Sequence, residues 1–193
     1  MSDYLLVLLA VFLTVGTGLF VASEFAIISS DRAQLEADRG SGEKGLDRSI
    51  RAISKTSTHL SSAQLGITLT TLLTGFVAEP AISRLISPWL ATFNLSEGAQ
   101  KTLSVFVAMT IATIFSFLIG ELVPKNMALA APKRVLKLVV GFQLGFTWLF
   151  SYLVRFNFDF TRIVPEHVLG ASLSYTVGGV LVMNYTKTYV GIV

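Results

Sequence analysis

The stretch TLSVFVAMTIATIFSFLIG, residues 102–120, carries no charged residue and is followed at once by Glu121 and, three positions later, by Pro124. A run of this length and composition predicts a helix that crosses a membrane. Glu121 then falls at the edge of the span, where an ionisable group is costly and by default marks a functional site. Pro124 has no N–H, so a helix that continues through it leaves the Gly120 carbonyl without its usual donor. Two hard oxygen donors at a helix break predict a cation site.

The composition of the whole chain agrees with a membrane protein. Of the 193 residues, 52% are hydrophobic and 14% are charged, with a mean hydropathy of +0.67. Soluble domains carry about 25% charged residues. The chain has no cysteine, which excludes disulfides and thiolate metal sites. The formal charge of +3 is too small to indicate a nucleic-acid partner.

The apolar stretches predict an all-α integral membrane fold with three transmembrane helices, at about residues 4–28, 58–78 and 102–122. The N-terminal run lacks the basic flank of a signal peptide, so we expect it to be retained. A fourth apolar segment, 135–155, is interrupted by glycines and either crosses the membrane or enters and leaves by the same face. The tail, 156–193, is too polar for a convincing span, and the sequence leaves its structure open.

The distribution of basic residues predicts the orientation. Six basic residues lie in Ser29–Lys55, two in Glu79–Lys101, and four follow the third span. By the positive-inside rule the first connection is cytoplasmic and the N-terminus is outside. Because Gly40 and Gly42 interrupt the charged first connection, we expect two helices there. Ala81–Trp89 is expected to form a short separate helix on the outer surface.

Each predicted span carries a stripe of small or oxygen-bearing residues. Within each set the residues recur at helical spacing and so share one face. The sets are Gly16 and Ser23, and Thr17 and Glu24, in the first span; Ser61, Gln64, Thr68, Thr71 and Gly75 in the second; and Thr113, Ser116 and Gly120 in the third. Such stripes either let membrane helices pack closely or supply ligands to a cation. A further alternative is that Lys125, four residues after Glu121, pairs with its carboxylate. The sequence leaves both questions open.

The donor set indicates the class of cation. Carboxylate, hydroxyl, amide and carbonyl oxygens suit Mg²⁺, Ca²⁺ or Na⁺ better than zinc or copper. Few carboxylates favour an ion that keeps part of its water, as Mg²⁺ does. No nucleophile–base constellation stands out, so we do not expect an enzyme.

Three motifs resemble those of the CorC/cyclin M (CNNM) transmembrane domain, in its bacterial hemolysin-C-like branch of magnesium transporters. They are Ser23-Glu24-Phe25-Ala26, the segment 62–69 followed by Gly75 and Glu79-Pro80, and Gly120-Glu121-Leu122-Val123-Pro124-Lys125. The resemblance covers about residues 4–155, with the motifs in the family's order, and assigns residues 1–155 to one transmembrane domain.

The resemblance implies a homodimer in the bacterial plasma membrane, surrounded by lipid, with a Mg²⁺ site that opens to the cytoplasm and export coupled to Na⁺. It also implies a juxtamembrane helical hairpin after the three spans, which corresponds to the non-crossing alternative for 135–155. Ser23, the Gly120 carbonyl and Glu121 are the implied ligands, with Gln64 and Thr68 lining the site. Ile67 stands where many relatives have Asn. The ATP-binding CBS domains that usually follow are not expected in this chain, which is then a truncated form, a natural short member or one with an altered C-terminus. The alternative function is a membrane anchor or Mg²⁺ sensor that moves no ion.

Overall fold

The computed structural model describes residues 3–93 and 96–151, and the regular elements in this part of the chain are all helical. They are α1 (Asp3–Ser29), α2 (Arg32–Gly40), α3 (Asp47–Ser54), α4 (Thr56–Leu90), a 3₁₀ turn (Ala91–Phe93), α5 (Glu97–Phe117), a π-helical turn (Leu118–Leu122), α6 (Val123–Ala130) and α7 (Pro132–Leu149). The sequence-based interpretations of residues 152–193, including the tail from 156, lie outside the described residues.

Three helical segments are long and apolar enough to cross a membrane: Asp3–Ser29, Thr56–Phe93 and Glu97–Ala130. The predicted all-α fold with three transmembrane helices is therefore confirmed, and the external N-terminus remains a prediction. α1 packs along α4, and α4 packs along α5, so the three spans form one layered bundle. The fourth apolar segment, 135–155, begins within α7. This helix is continuous as far as Leu149 and is not among the three candidate spans.

The two helices expected in the first connection are present as α2 and α3, a pair that we call the hairpin. Asp31 caps α2 by accepting a hydrogen bond from the Ala33 N–H at 2.8 Å, as expected of an N-cap aspartate. In the connecting turn Gly42 and Gly45 have φ of 99° and 84°, which only glycine adopts without strain. The apolar side of the hairpin is buried with α7 in one core, which includes Leu35, Leu46, Ile50, Leu136 and Val140.

The outer end of the second span differs from the expectation. α4 runs without a break through Pro80 to Leu90, so the prediction of a separate short helix at Ala81–Trp89 is wrong. A proline inside a helix removes one backbone hydrogen bond, and packing against neighbouring helices offsets that loss in membrane bundles. Ala78 and Ala81, on either side of Pro80, are 3% and 0% exposed. The packing here is close enough to keep the helix continuous.

A buried polar network fixes α7 to the N-terminal end of α4. Gln143 donates to the His59 carbonyl at 2.9 Å and to the Ser62 hydroxyl at 2.6 Å. The Thr147 hydroxyl lies 3.0 Å from Nδ1 of His59 and 2.6 Å from the Ser62 hydroxyl. These contacts satisfy polar groups that would be costly to bury alone. They hold α7 in one position against the second span.

An ion-pair cluster joins the hairpin to the start of α7. Lys133 Nζ bonds to the Asp38 carboxylate at 2.7 Å and also pairs with Glu43, and Lys137 Nζ lies 3.1 Å from Glu43 Oε1. Hydrogen bonds from Lys133 and Lys137 lower the pKa of the Glu43 carboxyl. Hydrogen bonds to Asp38 and Glu43 raise the pKa of Lys133. The cluster is thus most favourable when all four groups are charged.

This cluster predicts a pH-dependent contribution to stability. Since the pKa of Glu43 is lower in the folded protein, its contribution is present above the unfolded value of about 4.3 and is lost as the pH falls through the folded value. We expect Glu43→Gln to lower the unfolding temperature by a constant amount above about pH 5, and by progressively less toward pH 3. Thermal unfolding of both proteins in low-salt detergent solution checks this. A difference that is the same at every pH would contradict it.

Candidate cation site

A cavity of about 730 Å³ lies between α1, α4, α5 and the π-helical turn. It is lined mainly by the oxygen-bearing stripes of the three spans. Its polar lining includes Thr17 and Glu24 from α1, Gln64, Thr68, Thr71 and Thr74 from α4, and Thr113, Ser116 and Glu121 from the third span. Apolar residues such as Val21, Ile67 and Phe117 line the cavity between these polar groups. The cavity therefore combines an apolar wall with a few converging oxygens.

The π-helical turn places Gly120 and Glu121 at the cavity. The Val123 N–H bonds to the Leu118 carbonyl, five residues back. A π turn of this kind is typical of functional sites within α-helices. It immediately precedes Pro124, which has no N–H to donate to Gly120 in α-helical register. The helix break that the sequence predicts is thus a local widening of a continuous helix.

Gly120 is buried where the third span approaches α1 most closely. A Cβ added to Gly120 would lie 3.5 Å from Cγ2 of Thr14 and 3.6 Å from Cβ of Thr17, which is ordinary contact. A Cβ added to Gly18 would lie 3.8 Å from the Gly120 carbonyl oxygen and 3.2 Å from that of Ile119. The carbonyls of the π turn therefore face α1, the helix that also supplies Glu24 to the cavity.

Glu121 and Lys125 do not form an ion pair in the described part of the chain. Glu121 lines the cavity and its side chain is exposed there. Lys125 instead places its ammonium 4.8 Å from the centre of the Phe25 ring, in a cation–π contact. Of the two arrangements that the sequence leaves open, the structure has the one in which the Glu121 carboxylate is free to meet a cation.

Glu24 was not among the ligands implied by the resemblance, although it lines the cavity. It lies beside Gln64, whose Nε2 donates to Glu24 Oε1 at 3.4 Å. Its neighbour Ser23 is fully buried, is not among the lining residues, and donates its hydroxyl to the Leu19 carbonyl at 2.8 Å. The signal for Glu24 was the seven-residue spacing from Thr17, which also lines the cavity. The role of Ser23 as a ligand stays a prediction.

The two residues predicted to line the site from α4 both reach the cavity. Thr68 donates its hydroxyl to the Gln64 carbonyl at 2.9 Å, which leaves its oxygen lone pairs available as acceptors. Ile67 also lines the cavity and contributes hydrocarbon there. Gln64 and Thr68 are the amide and hydroxyl oxygens that α4 offers to an ion.

The polar stripes pack the helices together and also line the cavity, and their role as cation ligands stays a prediction. The Thr17 and Thr70 hydroxyls meet at 2.8 Å and join α1 directly to α4, as expected for close packing in a membrane. Gly16 packs beside Thr70 as well, since a Cβ added there would lie 3.6 Å from Thr70 Cγ2. The neighbouring positions of the same stripes face the cavity. Packing therefore builds the walls from which the ligand oxygens project.

The donor set fits a hard cation that keeps part of its water. The described residues contain no group of three or more His, Cys, Asp or Glu side chains that could enclose a metal ion. Within the cavity the charged groups are the carboxylates of Glu24 and Glu121, and the remaining oxygens are neutral. Mg²⁺ is usually bound through one or two carboxylates together with retained waters. The lining is of that kind.

Comparison with known proteins gives one family. The model of the Cyclin M transmembrane N-terminal domain matches residues 8–169. A UPF0053 protein of Mycobacterium tuberculosis is 41% identical over 157 residues, which are 80% of this chain and 34% of that protein. The UPF0053 protein YhdT of Bacillus subtilis is 33% identical over 142 residues, 73% of this chain and 31% of its own length.

A further relative extends the match along the chain. The UPF0053 protein YrkA of Bacillus subtilis is 31% identical over 169 residues, which are 83% of this chain and 39% of that protein. The chain thus spans about a third of the length of these curated relatives. The matched part includes all three spans, the hairpin and the cavity.

Proposed function

The chain belongs to the Cyclin M transmembrane N-terminal domain family, and on that premise we propose that it transports Mg²⁺ across the bacterial plasma membrane. The direction we propose is outward, coupled to Na⁺, with a homodimer as the working unit. One observation carries the proposal: two carboxylates and several neutral oxygens from all three spans converge on one cavity at a π-helical turn.

The proposed mechanism assigns a role to each wall of the cavity. Mg²⁺ enters from the cytoplasmic side with part of its water shell and meets the Glu121 carboxylate and the Gly120 carbonyl on the third span. Glu24 and Gln64 face it from α1 and α4. The threonine hydroxyls replace lost water, because hard cations accept neutral oxygen ligands readily. Movement of the third span relative to α1 and α4 then opens the cavity to the other side.

Flux across liposomes tests the proposal. The purified chain is reconstituted with a Mg²⁺-sensitive dye inside, and Mg²⁺ entry is recorded with and without an opposing Na⁺ gradient. We expect protein-dependent flux that the Na⁺ gradient accelerates. Binding of Mg²⁺ without any flux would instead support the alternative, a sensor or anchor that acts through partner proteins. Mg²⁺ flux that is the same with and without the Na⁺ gradient would exclude coupling to Na⁺ but not Mg²⁺ transport.

The proposed homodimer is tested separately. One chain has a mass of 20.9 kDa. Light scattering of the detergent-solubilised protein, corrected for bound detergent, is expected to give twice that mass. A monomer that still transports Mg²⁺ would contradict the dimer as the working unit and leave the transport proposal intact.

Glu24 provides a second test of the cavity as the Mg²⁺ site. We expect Glu24→Gln to weaken Mg²⁺ binding by roughly tenfold, because a half-buried carboxylate near a divalent ion contributes on the order of 1–2 kcal/mol after screening. Titration of the purified protein with Mg²⁺, followed by thermal stabilisation, measures the change. Glu36→Gln, on the exposed face of α2, is the matched control and should bind as the wild type does. Equal affinity in Glu24→Gln and Glu36→Gln would exclude Glu24 from the site.

A further inference from the structure

A basic stripe runs along the outer face of α3. Arg48 and Arg51 lie three residues apart on α3, and Lys55 follows directly after its last residue, Ser54. All three are exposed, whereas Ser49 and Ala52 of the same helix are each 0% exposed. No ion pair to any of the three is present in residues 3–93 and 96–151. The stripe therefore presents three positive charges outward.

Four other basic residues of the same region are paired. Arg32 pairs with Glu36 at 2.8 Å, and Arg39 pairs with Asp47 at 3.3 Å. Lys133 and Lys137 are held by Asp38 and Glu43, in the cluster described above. Among the described residues Lys44 and Arg134 have no ion pair either. What distinguishes the α3 stripe is that three unpaired positive charges stand together, which favours a negatively charged partner.

An exposed apolar surface of α7 adjoins the stripe. Leu138 is 80% exposed and Phe142 is 40% exposed, although both belong to a helix whose opposite side is buried in the core. Between them lies Gly141, where an added Cβ would be 3.8 Å from Nη1 of Arg48. The guanidinium group of Arg48 therefore borders the apolar residues. Basic groups beside exposed apolar side chains are typical of surfaces that lie at a membrane interface.

The position along the chain places this surface at the edge of the bilayer. Lys55 is the one residue between the end of α3 and the start of α4, a candidate span. Lys55 adjoins Thr56, and Arg51 precedes Thr56 by five residues, a helical rise of about 7.5 Å. Charges so close to an anionic leaflet lie within about one Debye length of it and are strongly attracted.

We propose that Arg48 and Arg51 of α3 and the adjoining Lys55, together with Leu138 and Phe142 of α7, form a binding surface for anionic phospholipid. We name it the α3–α7 face. The three basic groups bind the headgroup phosphates, and the two apolar side chains enter the boundary of the acyl chains. A soluble nucleic acid or acidic peptide would not account for the exposed Leu138 and Phe142. Lipid binding here would anchor α7, and through Gln143 the N-terminal end of α4.

Short-chain lipids test the proposal on the full chain in detergent. The protein is titrated with dioctanoyl-phosphatidylglycerol, and the apparent Kd is taken from the rise in unfolding temperature. Each basic group near an anionic surface contributes roughly a fivefold gain in affinity, so Arg48→Gln/Arg51→Gln/Lys55→Gln should weaken binding by about a hundredfold. Arg51→Gln alone should weaken it about fivefold and serves if the triple variant does not fold.

The control variant is Arg32→Gln/Arg39→Gln, which removes two equally exposed but paired charges from the same region and should leave the Kd unchanged. Dioctanoyl-phosphatidylcholine should give a much smaller stabilisation in every variant. The proposal is overturned if the triple variant, or Arg51→Gln in its place, binds phosphatidylglycerol as tightly as the wild type. It is equally overturned if inorganic phosphate alone reproduces the stabilisation, since the surface would then be a simple anion site.

Discussion

Glu121→Gln is expected to abolish measurable Mg²⁺ binding at concentrations that saturate the wild-type protein. Glu121 is the carboxylate that the π-helical turn brings to the cavity, and Lys125 does not neutralise it. At an effective dielectric constant of about 20, two unit charges 4 Å apart interact by about 4 kcal/mol, and the double charge of Mg²⁺ doubles that figure. Allowing for water in the open cavity, we expect a loss of about 2–4 kcal/mol, which is roughly a 30- to 1,000-fold weaker Kd.

The experiment separates loss of the site from loss of the fold. Glutamine keeps the size and the helix propensity of glutamate, so the circular dichroism spectrum and the unfolding temperature without Mg²⁺ should match the wild type. Glu97→Gln, in the first turn of α5, is the matched control because it removes a carboxylate from the same span away from the cavity. A Mg²⁺-induced stabilisation that survives in Glu121→Gln would place the site elsewhere.

Gly66→Ala is expected to destabilise the bundle by up to about 2 kcal/mol. A Cβ at this position would lie 2.6 Å from Cε1 and Cζ of Phe20, closer than real contacts allow. The Phe20 ring has little room to move, because it packs against Phe142 at 4.8 Å and Phe146 at 4.5 Å between ring centres. Overpacking of this kind costs about 1–3 kcal/mol, offset in part by about 1 kcal/mol of helix propensity gained over glycine.

Two further variants identify the cause. Gly75→Ala lies on the same helix, and a Cβ there would meet no atom within 4 Å, so it should be neutral or slightly stabilising. Combining Gly66→Ala with Phe20→Leu should recover part of the stability lost in the two single variants, since the smaller side chain makes room for the methyl group. Thermal unfolding in detergent measures all four proteins. If Gly66→Ala unfolds at the same temperature as Gly75→Ala, the close approach of α1 to α4 is not as described.

The three spans and the hairpin could be predicted because each depends on local composition. Runs without charge fix the spans, and the Gly40 and Gly42 break fixes the hairpin. The predicted break at Pro124 corresponds to a real irregularity, but a missing N–H does not specify a π turn. Likewise Pro80 predicts a helix boundary from the sequence. In the structure Ala78 and Ala81 are buried on either side of it, and α4 is continuous. Tertiary packing decides both cases.

The motifs name candidate residues, and the packing of the helices decides which of them line the cavity. Gln64, Thr68, Gly120 and Glu121 do line it, and their role as ion ligands stays a prediction. Ser23 and its successor Glu24 differ by about 100° around α1, so only the packing of that helix decides which one faces the cavity. The structure selects Glu24. Its contact with Gln64 joins residues forty positions apart, which no local pattern could reveal.

Transport of Mg²⁺ through the cavity at Glu121 is tested most directly by the initial rate of Mg²⁺ flux into proteoliposomes. Wild type, Glu121→Gln and Glu97→Gln are reconstituted at equal density under the same Na⁺ gradient. We predict that wild type and Glu97→Gln transport at similar rates and that Glu121→Gln does not exceed protein-free liposomes. Flux through Glu121→Gln at the wild-type rate would show that Mg²⁺ does not depend on the Glu121 carboxylate to cross the membrane.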